Sequence, residues 1–206
     1  MLSSSELARD PLTVACVLRS GGDCDAEYVE RLRDGVAAHL ELEHRFVALS
    51  DCPVPCERLS LQTDWPGWWA KLELFRQLRT GRTLYFDLDT VIVGPLDAIA
   101  ATPGRFAMLR DWLHPTTFNS SVMAWSGDWS HIAAEFTVER GAGYRTPQRW
   151  VDQGWIAEHA GPPPQVLQDA FPGAFVSRKV GPRHGPAERV VCFHGHPRPR
   201  DVGWRA

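Results

Sequence analysis

The sequence predicts an α/β fold: a mixed, mainly parallel central sheet with helices against its faces, held in one domain. Three observations carry that expectation. The first fifty residues read strand, glycine turn, helix, strand, an order that implies a parallel pair joined by a right-handed crossover. A later segment, Thr83–Val93, is almost continuously apolar, as a strand covered on both faces would be. Neither an internal repeat nor a linker interrupts the 206 residues, a length that one core can fill.

Taken in order, Leu12–Leu18 is a short β-rich apolar run that ends in the turn cluster Arg19–Asp23, and a helical pattern follows from about Ala26 to Leu40. A second strand, His44–Leu49, stops at Ser50–Pro53. Residues 51–66 are rich in proline and polar side chains and read as a loop. Trp68–Arg79 carries apolar residues at helical spacing and ends at Thr80–Gly81. After the Thr83–Val93 strand come strands at Phe106–Leu109 and Ser121–Trp125, a helix beginning near Asp128, and a second helix from about Gln148 to His159. A strand at Arg189–Phe193 lies in a tail rich in proline and glycine. Residues 1–10 read as a loose N-terminal segment.

Composition narrows the function. With 44% apolar residues, nine Trp and nine Phe, the chain has the content of a globular, aromatic-rich protein. A formal charge of -3 supplies no basic field, which disfavours nucleic acid as a partner. No apolar stretch approaches the roughly 18 residues of a transmembrane helix, and the first ten residues lack a signal-peptide core. A soluble, cytoplasmic protein is expected. The five cysteines are odd in number and irregularly spaced, so reduced thiols are expected. Cys52 and Cys56 have the spacing of half a zinc site, but no partner pair follows them.

The chemistry concentrates on Asp87 and Asp89, the two acids in the apolar Thr83–Val93 run. Side chains two apart on a strand share a face, and two carboxylates among Tyr85, Phe86, Val91 and Ile92 need a cation, hydrogen-bond donors or a raised pKa. A hard divalent ion, Mn²⁺ or Mg²⁺, meets that need and leaves positions open for a diphosphate. The bland alternative is a strand end where both acids reach solvent or cap a turn at Thr90. Arg19, Ser20 and two glycines follow the first strand, where open α/β sheets bind ligands. Trp65, Trp68 and Trp69 read equally as a sugar-stacking platform or as core, and Trp112 and Trp125 as pocket walls or buried bulk.

Five segments in register give a family likeness: Lys71 within Trp69–Phe75, Tyr85–Val91 with its Asp-Leu-Asp, Phe118–Met123, Asp152–Gln153, and Phe193–Pro199. Together they resemble the nucleotide-sugar-dependent glycosyltransferases of the GT-A (Rossmann-like) fold, most nearly glycosyltransferase family 8, which contains glycogenin and bacterial lipopolysaccharide galactosyltransferases. The resemblance spans roughly residues 12 to 200. It implies a metal-dependent transfer of a hexose, with retention, from a nucleoside diphosphate sugar to a carbohydrate, lipid-linked or protein acceptor.

The resemblance also assigns roles. Asp87 and Asp89 would bind the divalent cation, usually Mn²⁺, and Asp87 the donor's ribose as well. His194 would complete the coordination, beside Gly195, although the usual spacing of the family puts its histidine at Cys192. Arg198 stands where a lysine grips the diphosphate, and His196 could approach the phosphates. Lys71, Arg19 and Ser20 would meet the donor, Asn119 the sugar or acceptor, Asp152 the sugar, and Gln153 the acceptor's side. An inverting enzyme would need a base, for which Asp152 or Asp128 could serve. Ser121 replaces the more usual glycine. Two other readings stand beside this one: a non-catalytic nucleotide-sugar-binding or scaffold relative, and a sugar-phosphate nucleotidyltransferase.

Overall fold

The structure is a computed structural model that describes residues 10–101, 106–146, 150–181 and 185–204. The N-terminal segment expected to be loose falls outside these residues except for Asp10, and the start of the helix expected at Gln148 falls outside them too.

Strand β1 (Leu12–Leu18) alternates its side chains between two apolar layers: Leu12, Val14, Cys16 and Leu18 enter one, Ala15 the other. Helix α1 (Ala26–His39) starts at Asp25, whose carboxylate accepts from the Glu27 N–H. It packs Tyr28, Val29, Leu32 and Val36 against the first layer, the stripe that a 3.6-residue period dictates. The chain returns as β2 (His44–Ser50), parallel to β1 with His44 opposite Leu12.

Residues 51–66, expected as loop, contain a further strand, β3 (Glu57–Ser60), parallel to β2 at the sheet edge. Its burial pattern is mostly exposed, so no apolar period marked it in the sequence. The helix expected over Trp68–Arg79 is divided into a 3₁₀ segment, Gly67–Leu72, and a short α2 (Glu73–Gln77). Gly81, at φ 73°, then turns the chain where an added Cβ would lie 2.5 Å from the Pro11 carbonyl oxygen.

Strand β4 (Arg82–Phe86) pairs parallel to β1 and is buried along its whole length. The apolar run does not continue as one strand. It breaks at Asp87–Thr90, where the Thr90 N–H donates to the Asp87 carbonyl at 3.1 Å and its hydroxyl donates to the same oxygen at 2.8 Å. The chain leaves the turn as β5 (Thr90–Ile92) in a second, small sheet. Helix α3 (Asp97–Ala100) leads to β6 (Ala107–Arg110), and β7 (Phe118–Ser126) runs antiparallel to both β4 and β6. The expected strand at Ser121–Trp125 thus extends to nine residues.

Short helices α4 (His131–Ala134) and α5 (Val138–Ala142) precede α6 (Val151–His159). Then come β8 (Gln165–Val166), α7 (Leu167–Ala170), β9 (Phe175–Ser177) and β10 (Val190–Cys192). The main sheet has seven strands in the order β3-β2-β1-β4-β7-β6-β8, with β7 antiparallel to its neighbours and the other pairs parallel. The second sheet, β5-β10-β9, sets Cys192 opposite Thr90 and so brings the C-terminal segment beside the Asp87–Thr90 turn. Helices cover both faces of the main sheet: α1 packs on one, α6 and the 3₁₀ segment on the other.

Candidate active site

Strands β1 and β4 are parallel, so the segments after them emerge at one edge of the sheet. Antiparallel β7 begins at that same edge, and the Asp87 N–H donates to the Ser121 carbonyl at 2.8 Å. A cleft of about 710 Å³ opens there. Arg19–Cys24 come from the end of β1, Asp87–Asp89 from the end of β4, Asn119–Ser121 from β7, Val151–Gln153 from α6, and Trp68 and Lys71 from the 3₁₀ segment. His194, Gly195 and Arg198 come from beyond β10. Of the residues that the sequence singled out, Arg19, Ser20, Lys71, Asp87, Asp89, Asn119, Asp152, Gln153, His194, Gly195 and Arg198 line this one cleft, and Asp128 and His196 do not.

At its floor Lys71 is buried, and its ammonium donates three ways: to Asp87 Oδ1 at 2.9 Å, to Asp152 Oδ2 at 2.9 Å and to Ser120 Oγ at 2.8 Å. These contacts use all three ammonium protons. Ser120 Oγ in turn donates to Asp152 Oδ2 at 2.8 Å, and the Tyr85 hydroxyl donates to Asp87 Oδ1. Burial alone would push the Lys71 ammonium down, but Asp152 and Asp87 more than offset it and hold its pKa above the ordinary lysine value.

Asp87 and Asp89 are not two residues of one flat strand. They sit on a turn, with Leu88 between them buried in the core. Asp87 faces Lys71, whereas Asp89, only 8% exposed, is paired by the Arg198 guanidinium. Burial first, and the charge of Asp87 second, push the Asp89 carboxyl up from its usual range, against the opposing pull of Arg198. Arg198 also reaches Asp23 at 2.8 Å. At the C-terminal end of β1, Ser20 donates from both its N–H and its hydroxyl to Asp51, each at 2.8 Å, and Arg19 lies 3.4 Å from the same carboxylate. Asn119 accepts the Ser121 N–H at 2.9 Å, and Gln153 separates the main cleft from a second cavity of about 340 Å³ beside Phe118 and Trp150.

Several expectations change. His194 lines the cleft, but its Nε2 is 2.6 Å from Ser177 Oγ and its ring lies flat against Trp112, 5.6 Å between centroids with 4° between planes. Its pKa is lowered by burial and by Lys179. Among the described residues no group of three or more His, Cys, Asp or Glu side chains is arranged to hold a metal ion. Burial pushes the Cys192 thiol well above its usual value.

Asp128 is outside the cleft and salt-bridged to Arg79 at 2.6 Å, which removes it as a base. His196 is exposed and 3.6 Å from Asp201. Trp65, Trp69 and Trp125 are core, whereas Trp68 is exposed at the cleft. All five cysteines are free thiols.

The donor set itself suits a hard divalent ion held by two carboxylates. Four carboxylates, Asp23, Asp87, Asp89 and Asp152, line the cleft against three cationic side chains, and one of those, Arg19, is engaged by Asp51. The surplus is negative, and a diphosphate entering alone would add to it. Mg²⁺-type ions commonly take one or two protein carboxylates and complete their shell with water and substrate phosphates. Asp87 and Asp89 fit that arrangement.

Sequence reasoning had no role for Asp23, Asp51, Tyr85, Ser120 or Ser177. Tyr85 was within reach of it, since a side chain two before Asp87 on a strand faces the same way. Asp51 and Ser177 act across distant elements, and only the tertiary structure reveals them.

Set against protein-family models and curated proteins, the chain matches none. Solved structures share its fold. The glycosyltransferase GlyE of Streptococcus pneumoniae TIGR4 aligns with a TM-score of 0.67 at 12% identity, covering 95% of this chain and 60% of GlyE. The chain therefore spans about 60% of the length of that relative. The galactosyltransferase LgtC, solved with donor and acceptor sugar analogs, aligns with a TM-score of 0.61 at 13% identity over 91% of this chain and 88% of its own. The bifunctional glycosyltransferase WbbM gives 0.60 at 11% identity, with 93% and 47% covered. The fold is that of the GT-A glycosyltransferases. No described helix is long and apolar enough to cross a membrane.

Proposed function

We propose that the chain is a glycosyltransferase that moves a hexose from a nucleoside diphosphate sugar to a carbohydrate, lipid-linked or protein acceptor. The observation that carries this reading is the convergence of residues from six separate segments on one cleft at the strand ends, with paired carboxylates at its floor. Ligand sites of open α/β sheets lie at such a position.

In this reading Arg19, Ser20 and the glycine turn receive the nucleoside. Asp51 fixes Ser20 in advance, which lowers the ordering cost of binding. Arg198 offers a guanidinium fork to the diphosphate. Asp87 and Asp89 hold the divalent ion, Mn²⁺ or Mg²⁺. When bound, such an ion neutralises charge on the departing diphosphate. Lys71 fixes Asp87 and Asp152 relative to each other, so that the metal side and the sugar side of the site share one support. Asp152 and Asn119 address the sugar. Gln153, between the two cavities, faces the side from which the acceptor arrives.

Retention enters this reading from the family likeness alone; Asp152 Oδ2 accepts from both Lys71 and Ser120.

The test is thermal unfolding with UDP-, GDP-, ADP- and dTDP-sugars, each with and without Mn²⁺, followed by donor hydrolysis. A donor at about a hundred times its Kd should raise Tm by about 5–11 °C. A protein that neither binds nor cleaves any donor overturns the reading. Binding without cleavage favours the non-catalytic relative, and pyrophosphate release from a nucleoside triphosphate and sugar phosphate favours the nucleotidyltransferase.

A further inference from the structure

We infer that Arg198 acts as a place-holder for the divalent cation, so that the cleft admits the cation and the diphosphate together and holds either one alone only weakly. The inference rests on the proposed donor site and adds a selectivity to it. The guanidinium pairs with Asp89 through Nη1 and with Asp23 through Nη2 at 2.8 Å, and thus occupies the carboxylate that a cation would need. A divalent ion on Asp89 and a guanidinium on the same oxygen are like charges in contact, so one must leave.

Arg198 is built to leave. Its Nε is buried and, among the described residues, has no hydrogen-bond partner. Its backbone is fixed independently of the side chain, because the Arg198 N–H donates to Asp201 Oδ2 at 2.7 Å at the start of the 3₁₀ turn Pro199–Val202. The arm can therefore swing without moving the chain. The other cleft cation near the carboxylates, Lys71, has every proton committed and is buried, so it cannot take this part.

A cation arriving alone must displace Arg198 into the cleft with no anion to receive it. A cation arriving with a diphosphate releases Arg198 onto phosphate oxygens, where its fork and its free Nε find acceptors. Free anion meets the surplus carboxylates and is repelled. The two ligands are thus coupled through one side chain, and reciprocity requires each to tighten the other.

The measurement is Mn²⁺ affinity by electron paramagnetic resonance, alone and with saturating inorganic pyrophosphate, a probe that does not depend on the unknown base. In the wild type, pyrophosphate should tighten Mn²⁺ by about tenfold or more, after correction for the complex formed in solution. In Arg198→Ala the two affinities should move in opposite directions: Mn²⁺ alone tighter by about tenfold, Mn²⁺ with pyrophosphate weaker by about tenfold.

Equal Mn²⁺ affinity with and without pyrophosphate in the wild type overturns the inference, as does a variant in which Mn²⁺ alone binds no better. The wild-type coupling decides the matter if Arg198→Ala fails to fold. No uptake of Mn²⁺ or pyrophosphate by either protein, in any combination, overturns the proposed function itself, a result distinct from the other two.

Discussion

Replacing Lys71 by methionine should destabilise the protein by more than any surface charge change. The ammonium is buried, meets Asp87 and Asp152 at 2.9 Å each and Ser120 at 2.8 Å, and lies 5.4 Å from the centre of the Tyr85 ring. Methionine fills much the same volume but leaves the buried Asp152 and the half-buried Asp87 carboxylates without their shared cation. Breaking a buried pair in this way costs about 3–5 kcal/mol. For a chain of this size each kcal/mol moves Tm by about 2–4 °C, so a fall of about 6–20 °C is expected. Because the lysine's folded pKa lies above its unfolded value, its contribution is complete at neutral pH and fades only as pH rises through that folded value. The assay is reversible denaturation at pH 7 of Lys71→Met and of Lys71→Met combined with Asp152→Asn. The double variant should recover part of the loss by removing one orphaned charge. A single variant within about 1 kcal/mol of the wild type, or a double variant less stable than the single, would refute the reasoning.

The remaining expectations concern charge. Asp89→Asn should leave the ligand-free Tm at pH 7 equal to or above that of the wild type, because burial and the Asp87 charge make its ionisation unfavourable; the same change should abolish the Mn²⁺-dependent response to donor. Acid should act oppositely on the paired surface acids: Asp23, Asp25 and Glu57 are held below their usual pKa by hydrogen bonds from Arg198, Arg200 and Arg45. Their stabilisation is present above the unfolded values near pH 4 and is lost as pH falls through the folded values, so Tm should be level from pH 7 to about 5 and decline below about 4. Ser177→Ala should free His194 Nε2 and shift its imidazole titration in an NMR experiment, and Tm should fall, because Ser177 Oγ also accepts the Lys179 and Val180 N–H groups at 3.1 Å each.

Much of the fold was legible because burial on both sides of a sheet leaves a plain record. The β1–α1–β2 opening was read within a residue or two, since β-branched runs and the α1 stripe give opposite periods. What failed has physical causes. Strand β3 is an exposed edge with a burial pattern that no apolar alternation reports. The break at Asp87–Thr90 was hidden because Leu88 in the turn and Val91–Ile92 beyond it are as apolar as a strand interior, although the run is divided between β4 of the main sheet and β5 of the second. The residues of the site were legible, but their pairings were not. The two acids looked like a matched pair on one face, whereas one answers to Lys71 and the other to Arg198, a residue 109 positions away. His194 lines the cleft, yet Ser177 and Trp112, which take its nitrogen and its ring, come from elements that no local pattern connects to it.

The central claim is that Asp87 and Asp89 hold a nucleoside diphosphate sugar through a divalent ion. Calorimetric titration of the donor panel into the wild type, and into a variant carrying both Asp87→Asn and Asp89→Asn, addresses it most directly, in Mn²⁺ and in EDTA. One donor should bind the wild type in Mn²⁺ and weaken by about a hundredfold in EDTA or in the variant. Undiminished binding to a folded variant, or binding indifferent to EDTA, would contradict it.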